Sequence, residues 1–221
     1  MGIIMGLDVA FKSLGVAVVD VKSARTPDDR ADDYAAVTCR DTAGNFREKL
    51  LSVQTLHPPT FTKKSHPDMY VASKDYLMAR GLAFQLYRLV LTINPVVIAL
   101  ELPSGGAQGA RANRCMGMAS AIVATMEALL MDQIARGHAD GLRPFLAFLP
   151  RTPEDVKLAA AGSRSAAKLD VESAVLACYT DQADLFAALT KGDREHACDA
   201  AAAIWAVRGS DPYRRAALEA S

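Results

Sequence analysis

Residues 2–20 read GIIMGLDVAFKSLGVAVVD: two short runs rich in Ile and Val, 2–8 and 14–20, separated by a polar step that holds Lys12 and Ser13. Runs this short, broken by a polar turn, spell a β-hairpin. Downstream, residues 73–93 space Tyr76, Leu77, Ala83, Phe84, Tyr87 and Val90 at intervals of three and four, as an amphipathic helix does, and Asn94-Pro95 ends it. Residues 96–100 (VVIAL) then form a continuous apolar run closed by Glu101, the signature of a strand buried on both faces of a parallel sheet. A long helix poor in charge is expected over 112–136, a short strand over 144–149, a helix opened by Pro153 and broken by Gly162, and Ala-rich helices over 165–178 and 194–208. An antiparallel start followed by alternating β and α segments predicts an α/β fold with a mixed sheet covered by helices.

Between the hairpin and the first helix, residues 21–73 turn polar. Two stretches there, 34–39 and 50–56, each read as a strand able to extend the hairpin sheet, and the pattern does not choose between them. The segment is long for a loop in a compact domain and is read as a polar insertion, in which Phe61, Lys63 and Lys64 are minor candidates for nucleic-acid contact.

The chain has 221 residues, 51% of them apolar, with 25 basic and 25 acidic side chains. At that size a full core is available in a single domain spanning 1–221. A net charge of zero excludes a protein that coats nucleic acid or membrane by bulk electrostatics, so any nucleic-acid contact must be local. No uninterrupted apolar run approaches the ~18 to 20 residues that span a bilayer, and the N-terminus is read as structure rather than as an address. The four cysteines, Cys39, Cys115, Cys178 and Cys198, have no CxxC spacing, so they are expected to be reduced and the protein cytoplasmic.

Four residues carry the chemistry. Asp8 ends the first strand and Glu101 ends the strand after the helix; if those strands are parallel neighbours, both acids emerge at the C-terminal edge of the sheet, where open α/β sheets place their ligands. His196 and Asp199, in HACDAAAAIWA, lie three apart on one helix face. Three carboxylates and an imidazole form a site for hard cations such as magnesium or manganese, and two such ions ~3.5 to 4 Å apart activate a water and stabilise the leaving oxygen of a phosphodiester. Trp205, the single tryptophan, is expected in the core.

Taken in order, MGLDVAFKSLGVAVVD (5–20), VVIALE (96–101), FLPRTPEDVKLAAAGSRSAAKLDVESAV (148–175) and HACDAAAAIWA (196–206) resemble the motifs of the RuvC-type Holliday-junction resolvases, in the ribonuclease H-like superfamily. The resemblance implies a mixed five-stranded sheet of order 3-2-1-4-5, divalent metal (two Mg2+ ions, with Mn2+ able to substitute), a homodimer and hydrolysis of branched DNA. It implies that Asp8, Glu101 and Asp199 bind the metal and that His196 is a fourth ligand or general base, with Lys157 and Lys168 near the phosphates. Lys12 is a further candidate for DNA contact.

The segment after Glu101 departs from the pattern. Many relatives carry an aromatic side chain there, whereas this chain has LPSGGAQGAR (102–111) and no aromatic before Phe145. Its backbone amides, with Arg111 and Arg114, suit phosphate tracking without base reading. Small residues on helix 112–136, which places Met116, Ala119, Val123, Met126 and Leu130 on one face, offer a surface for the two-fold axis that the resemblance implies. Two other readings are a non-catalytic scaffold that binds branched DNA and a broader nuclease for flaps and forks. A two-lobed nucleotide-binding enzyme needs a longer chain.

Overall fold

The computed structural model describes residues 2–10, 12–23, 39–40, 46–62, 65–66, 68–102, 110–137 and 146–220. Its strands are β1 (Gly2–Val9), β2 (Leu14–Ser23), β3 (Cys39–Arg40), β4 (Phe46–Leu56), β5 (Val97–Glu101) and β6 (Ala147–Arg151). Its helices are α1 (Val71–Ile93), α2 (Ala110–Ala135), α3 (Pro153–Ala161), α4 (Lys168–Cys178), α5 (Ala183–Ala187), α6 (Lys191–Trp205) and α7 (Asp211–Glu219). The hairpin is present: β1 and β2 pair antiparallel from Gly2 opposite Val21 to Val9 opposite Leu14. The sheet runs β3-β4-β2-β1-β5-β6, with β1, β5 and β6 mutually parallel. Apart from β3, a two-residue addition at the edge, the five strands follow the expected order 3-2-1-4-5.

The choice left open in the polar region falls to the second stretch, which starts earlier than expected, at Phe46, and pairs with the whole length of β2. Of the other stretch, 34–38 lies outside the described residues, as do Lys63 and Lys64. The strand expected at 144–149 lies further along and passes through Pro150. Proline is tolerated because β6 is an edge strand, where a missing amide donor breaks no ladder. Two helices, α5 and α7, were not foreseen.

Side-chain alternation sorts the sheet into two buried faces. Ile3, Met5, Leu7 and Val9 of β1, with Ile98 and Leu100 of β5, pack against Leu82 and Leu86 of α1 and Met126 and Leu130 of α2. On the opposite face Ile4, Val97 and Ala99 meet the Ala-rich α6 and, around it, α3, α4 and α7. The outcome is three layers, helices on both faces of one sheet. Thr152, Thr190 and Ser210 cap α3, α6 and α7 by accepting from the amides of Asp155, Asp193 and Tyr213, an interaction of about 1 kcal/mol each.

Of the face expected for α1, Ala83 and Val90 are buried and Leu77 and Tyr87 half-buried, but Tyr76 and Phe84 are corrected, being 62% and 42% exposed, while Asp75, Met78, Leu82 and Leu86 join the buried side. The inward Asp75 is compensated by Arg114 of α2, whose Nε and Nη2 both donate to its carboxylate. On α2 the buried side chains include Ala119, Val123, Met126 and Leu130 as expected, joined by Ile122, while Met116 is half-buried. By length and composition Asn113–Ala135 is apolar enough to cross a membrane, with mean hydropathy 1.4, because its charges are sparse although no run is unbroken.

The expectation of four reduced cysteines is also corrected: Cys178 is disulfide-bonded, while Cys115 and Cys198 are free. The pairing is tertiary and leaves no spacing motif in the sequence.

At the end of the sheet remote from Asp8, Glu48 of β4 is fully buried. Arg208 donates to both its oxygens, from Nε at 2.8 Å and Nη2 at 2.6 Å, Tyr179 donates at 3.0 Å, and Tyr213 also donates. Trp205 is buried as expected, and its indole N–H donates to the Tyr179 hydroxyl at 3.2 Å. This network ties the C-terminal ends of α4 and α6, and the start of α7, to the sheet.

Candidate functional site

Parallel register places Asp8 of β1 directly beside Glu101 of β5, and both belong to the alternating set that faces α6. The same row continues through Gly15 of β2, opposite Asp8, and Arg151 of β6, opposite Glu101. Helix α6 lies across this row because two glycines let it. A Cβ at Gly6 would stand 2.0 Å from the Ala200 carbonyl oxygen, and one at Gly15 would stand 2.0 Å from that of His196. The helix backbone therefore rests on the sheet with no side chain between.

That contact brings His196 over Asp8. Nδ1 of the imidazole donates to Asp8 Oδ2 at 2.6 Å, and Nε2 meets the Ser13 hydroxyl at 2.7 Å. The Asp8 bond holds the His196 pKa above its usual value against the opposing effect of burial. Asp199, one turn further along α6, is approached by Lys168 Nζ at 3.8 Å, and the same ammonium donates to Glu195. Lys168 stands at the first position of α4.

The acids are electrostatically coupled. Burial, followed by repulsion from Asp8 and Asp199, pushes Glu101 up to about 8. Burial and repulsion from Asp8 push Asp199 up to about 7. Lys168 and Lys157 both act in the opposite direction on Glu101, so the two lysines singled out in the sequence face the acidic group from α3 and α4. Half-buried carboxylates that repel one another favour a bound cation. Among the described residues, however, no three His, Cys, Asp or Glu side chains form a ready-made ion cage. The donor chemistry fits a hard divalent ion; His196 and Lys168 are the groups that now stand against Asp8 and Asp199.

A cleft of about 700 Å³ opens beside the acids, sharing Ser13 and His196 with them. Lys12 and Arg114 both line it, the latter with its guanidinium committed to Asp75. The side chain of Arg111 and residues 103–109 lie outside the described residues. Sequence reasoning missed Ser13, whose position in a turn carried no signal, and did not pair Glu195 with Lys168. It also missed Gly15, although a glycine inside a strand signals that another backbone approaches closely.

The architecture has solved counterparts. A Thermus thermophilus RuvC structure superposes with a TM-score of 0.56 at 18% identity, covering 96% of this chain and 95% of that one. The fold is RuvC-type, that is, ribonuclease H-like. A second T. thermophilus RuvC structure, in complex with a Holliday junction substrate, gives a TM-score of 0.55 at 18% identity and covers 98% of each chain. No protein-family model and no curated protein sequence matches the chain.

Proposed function

We propose that this protein is a divalent-metal-dependent endonuclease acting on branched DNA, with the four-way junction as preferred substrate. The observation that carries the reading is the pairing of Asp8 with Glu101 at the end of adjacent parallel strands, with His196 and Asp199 laid over them by α6. A RuvC-type fold whose solved relatives include one bound to a Holliday junction supports it.

Asp8, Glu101 and Asp199 would hold the ions, Mg2+ or Mn2+, with His196 as a further ligand or a base. Once bound, two such ions supply an activated water and charge neutralisation at the scissile phosphate. The residues of the chain do the rest. Lys157 and Lys168 draw the phosphate toward the acids, as mobile point charges suited to its oxygens. Release of Lys168 from Glu195 and Asp199 frees its ammonium for that task. His196, held by Asp8 at one ring nitrogen, presents the other toward Ser13 and the cleft, where it can accept a proton. A symmetric cut across a four-way junction further requires two such sites related by a dyad, so we propose a homodimer. Lys12 and Arg111 are proposed as outlying contacts to the DNA backbone.

The test is an incision assay in magnesium that compares a four-way junction, a flap, a fork and linear duplex. Paired symmetric nicks confined to the junction are expected, and Asp8→Asn should bind the junction as the wild type does without cutting it. Equal cutting of every branched form would replace the reading with a broader debranching nuclease. Tight junction binding without incision would replace it with a scaffold.

A further inference from the structure

Ser13 stands in the polar step between β1 and β2 and is only 9% exposed. A serine in a hairpin turn ordinarily bonds its own neighbouring backbone or water. The hydroxyl of this one meets a side chain 183 positions away, Nε2 of His196, at 2.7 Å. Two residues on, Gly15 lies directly beneath the same helix residue, where an added Cβ would stand 2.0 Å from the His196 carbonyl oxygen. Residues 13–15 therefore hold His196 twice, its backbone through Gly15 and its ring through Ser13. On the other ring nitrogen, Nδ1 donates to Asp8 at 2.6 Å.

An imidazole turns about two side-chain torsions, and a partner on its far nitrogen is what keeps one edge aimed at its target. A hydroxyl suits that task in a way that a carboxylate or a carbonyl does not, because those groups only accept. It donates when Nε2 carries the lone pair and accepts when Nε2 carries the hydrogen. The ring thus stays in place whether Nδ1 donates to Asp8, as here, or offers its lone pair to an ion. We infer, resting on the nuclease reading, that Ser13 is the positioning residue of His196: its hydroxyl holds Nε2 in either tautomer and keeps Nδ1 turned toward Asp8 and the cation that the acids would bind.

Mn2+ binding followed by electron paramagnetic resonance, with no DNA present, separates this role from incision. Ser13→Ala should weaken Mn2+ binding by about 10- to 100-fold, the usual consequence of removing the group that orients a ligating histidine. Ser13→Thr keeps the hydroxyl and should bind the ion as the wild type does. A double-mutant cycle distinguishes orientation of the ring from general packing of the turn: with His196→Ala already in place, adding Ser13→Ala should cost no further affinity. Equal Mn2+ binding by Ser13→Ala and wild type, equal losses in Ser13→Ala and Ser13→Thr, or losses that add in the double variant would each overturn the role of Ser13 and leave the nuclease reading standing. A wild type that binds no Mn2+ overturns both.

Discussion

Glu48 shows how much a single buried charge can organise. Burial works to raise its pKa, but the Arg208 guanidinium and the hydroxyls of Tyr213 and Tyr179 outweigh that and hold it below the usual carboxylate value of 4.5. A group whose folded pKa is depressed stabilises the protein above its unfolded pKa and loses that contribution as pH falls through the folded one. Urea midpoints should therefore be level from neutral pH down to about pH 5 as far as Glu48 is concerned, then fall more steeply in wild type than in Glu48→Gln. The variant leaves Arg208 buried without its counter-charge and should cost about 3–5 kcal/mol at pH 7, read from the same urea curves. At the other end of the sheet the shifts run upward. Glu101 near 8 and Asp199 near 7 both become better cation ligands as pH rises from 6 to 9. Addition of Mg2+ or Mn2+ should raise the melting temperature more at pH 9 than at pH 6, by the equivalent of about 2.7 kcal/mol at a hundred times the dissociation constant. Asp8→Asn should lose most of that shift in differential scanning fluorimetry.

At the scale of elements, the site depends on how closely α6 lies on the hairpin. Gly15→Ala drives a methyl group into the His196 carbonyl, and neither backbone can yield without moving the other. We expect about 1–3 kcal/mol of destabilisation, the usual cost of overpacking, together with a loss of incision far larger than that cost explains. Gly192→Ala, at the exposed start of the same helix with nothing within 4 Å of the added atom, should retain both stability and cutting. Junction incision alongside urea unfolding of the two variants separates these effects. This contact also marks what the sequence could tell. Asp8, Glu101, His196 and Asp199 were legible because each stands out locally: a carboxylate closing an apolar run, or an acid and an imidazole three apart in an alanine-rich helix. Strand order followed from a resemblance, not from the residues, since hydrophobic runs do not say which strand pairs with which. On α1 the pattern places Ala83 and Val90 correctly but not Tyr76 and Phe84, and Asp75 looks exterior until Arg114, from another helix, is brought against it. Glu48 was equally silent, as its partner Arg208 lies 160 positions away. Local pattern reveals a polar group; only tertiary structure reveals what satisfies it.

For the whole molecule, the unresolved demand is the outer face of α2. Gly117, Ala121, Ala124, Ala128 and Met131 are exposed and recur at intervals of three and four, opposite the face that packs on α1 and the sheet. Met131 is 46% exposed and Ile134 38%, further along the same helix. An apolar stripe on a helix of this length is a poor solvent surface. Pairing with the same stripe of a second copy would bury it with small residues that allow close approach, and would leave the two sets of acids facing one DNA branch from related positions. Sedimentation equilibrium should accordingly report a dimer. Ala124→Glu places a like charge on both sides of the contact and should yield a monomer with unchanged helix content by circular dichroism, since glutamate is a good helix former. That monomer should still nick one strand of a four-way junction while losing the paired, symmetric cut. A monomeric wild type that makes paired cuts would sink the dimer and require one site to act twice, whereas a dimer unaffected by Ala124→Glu would move the two-fold axis to another face.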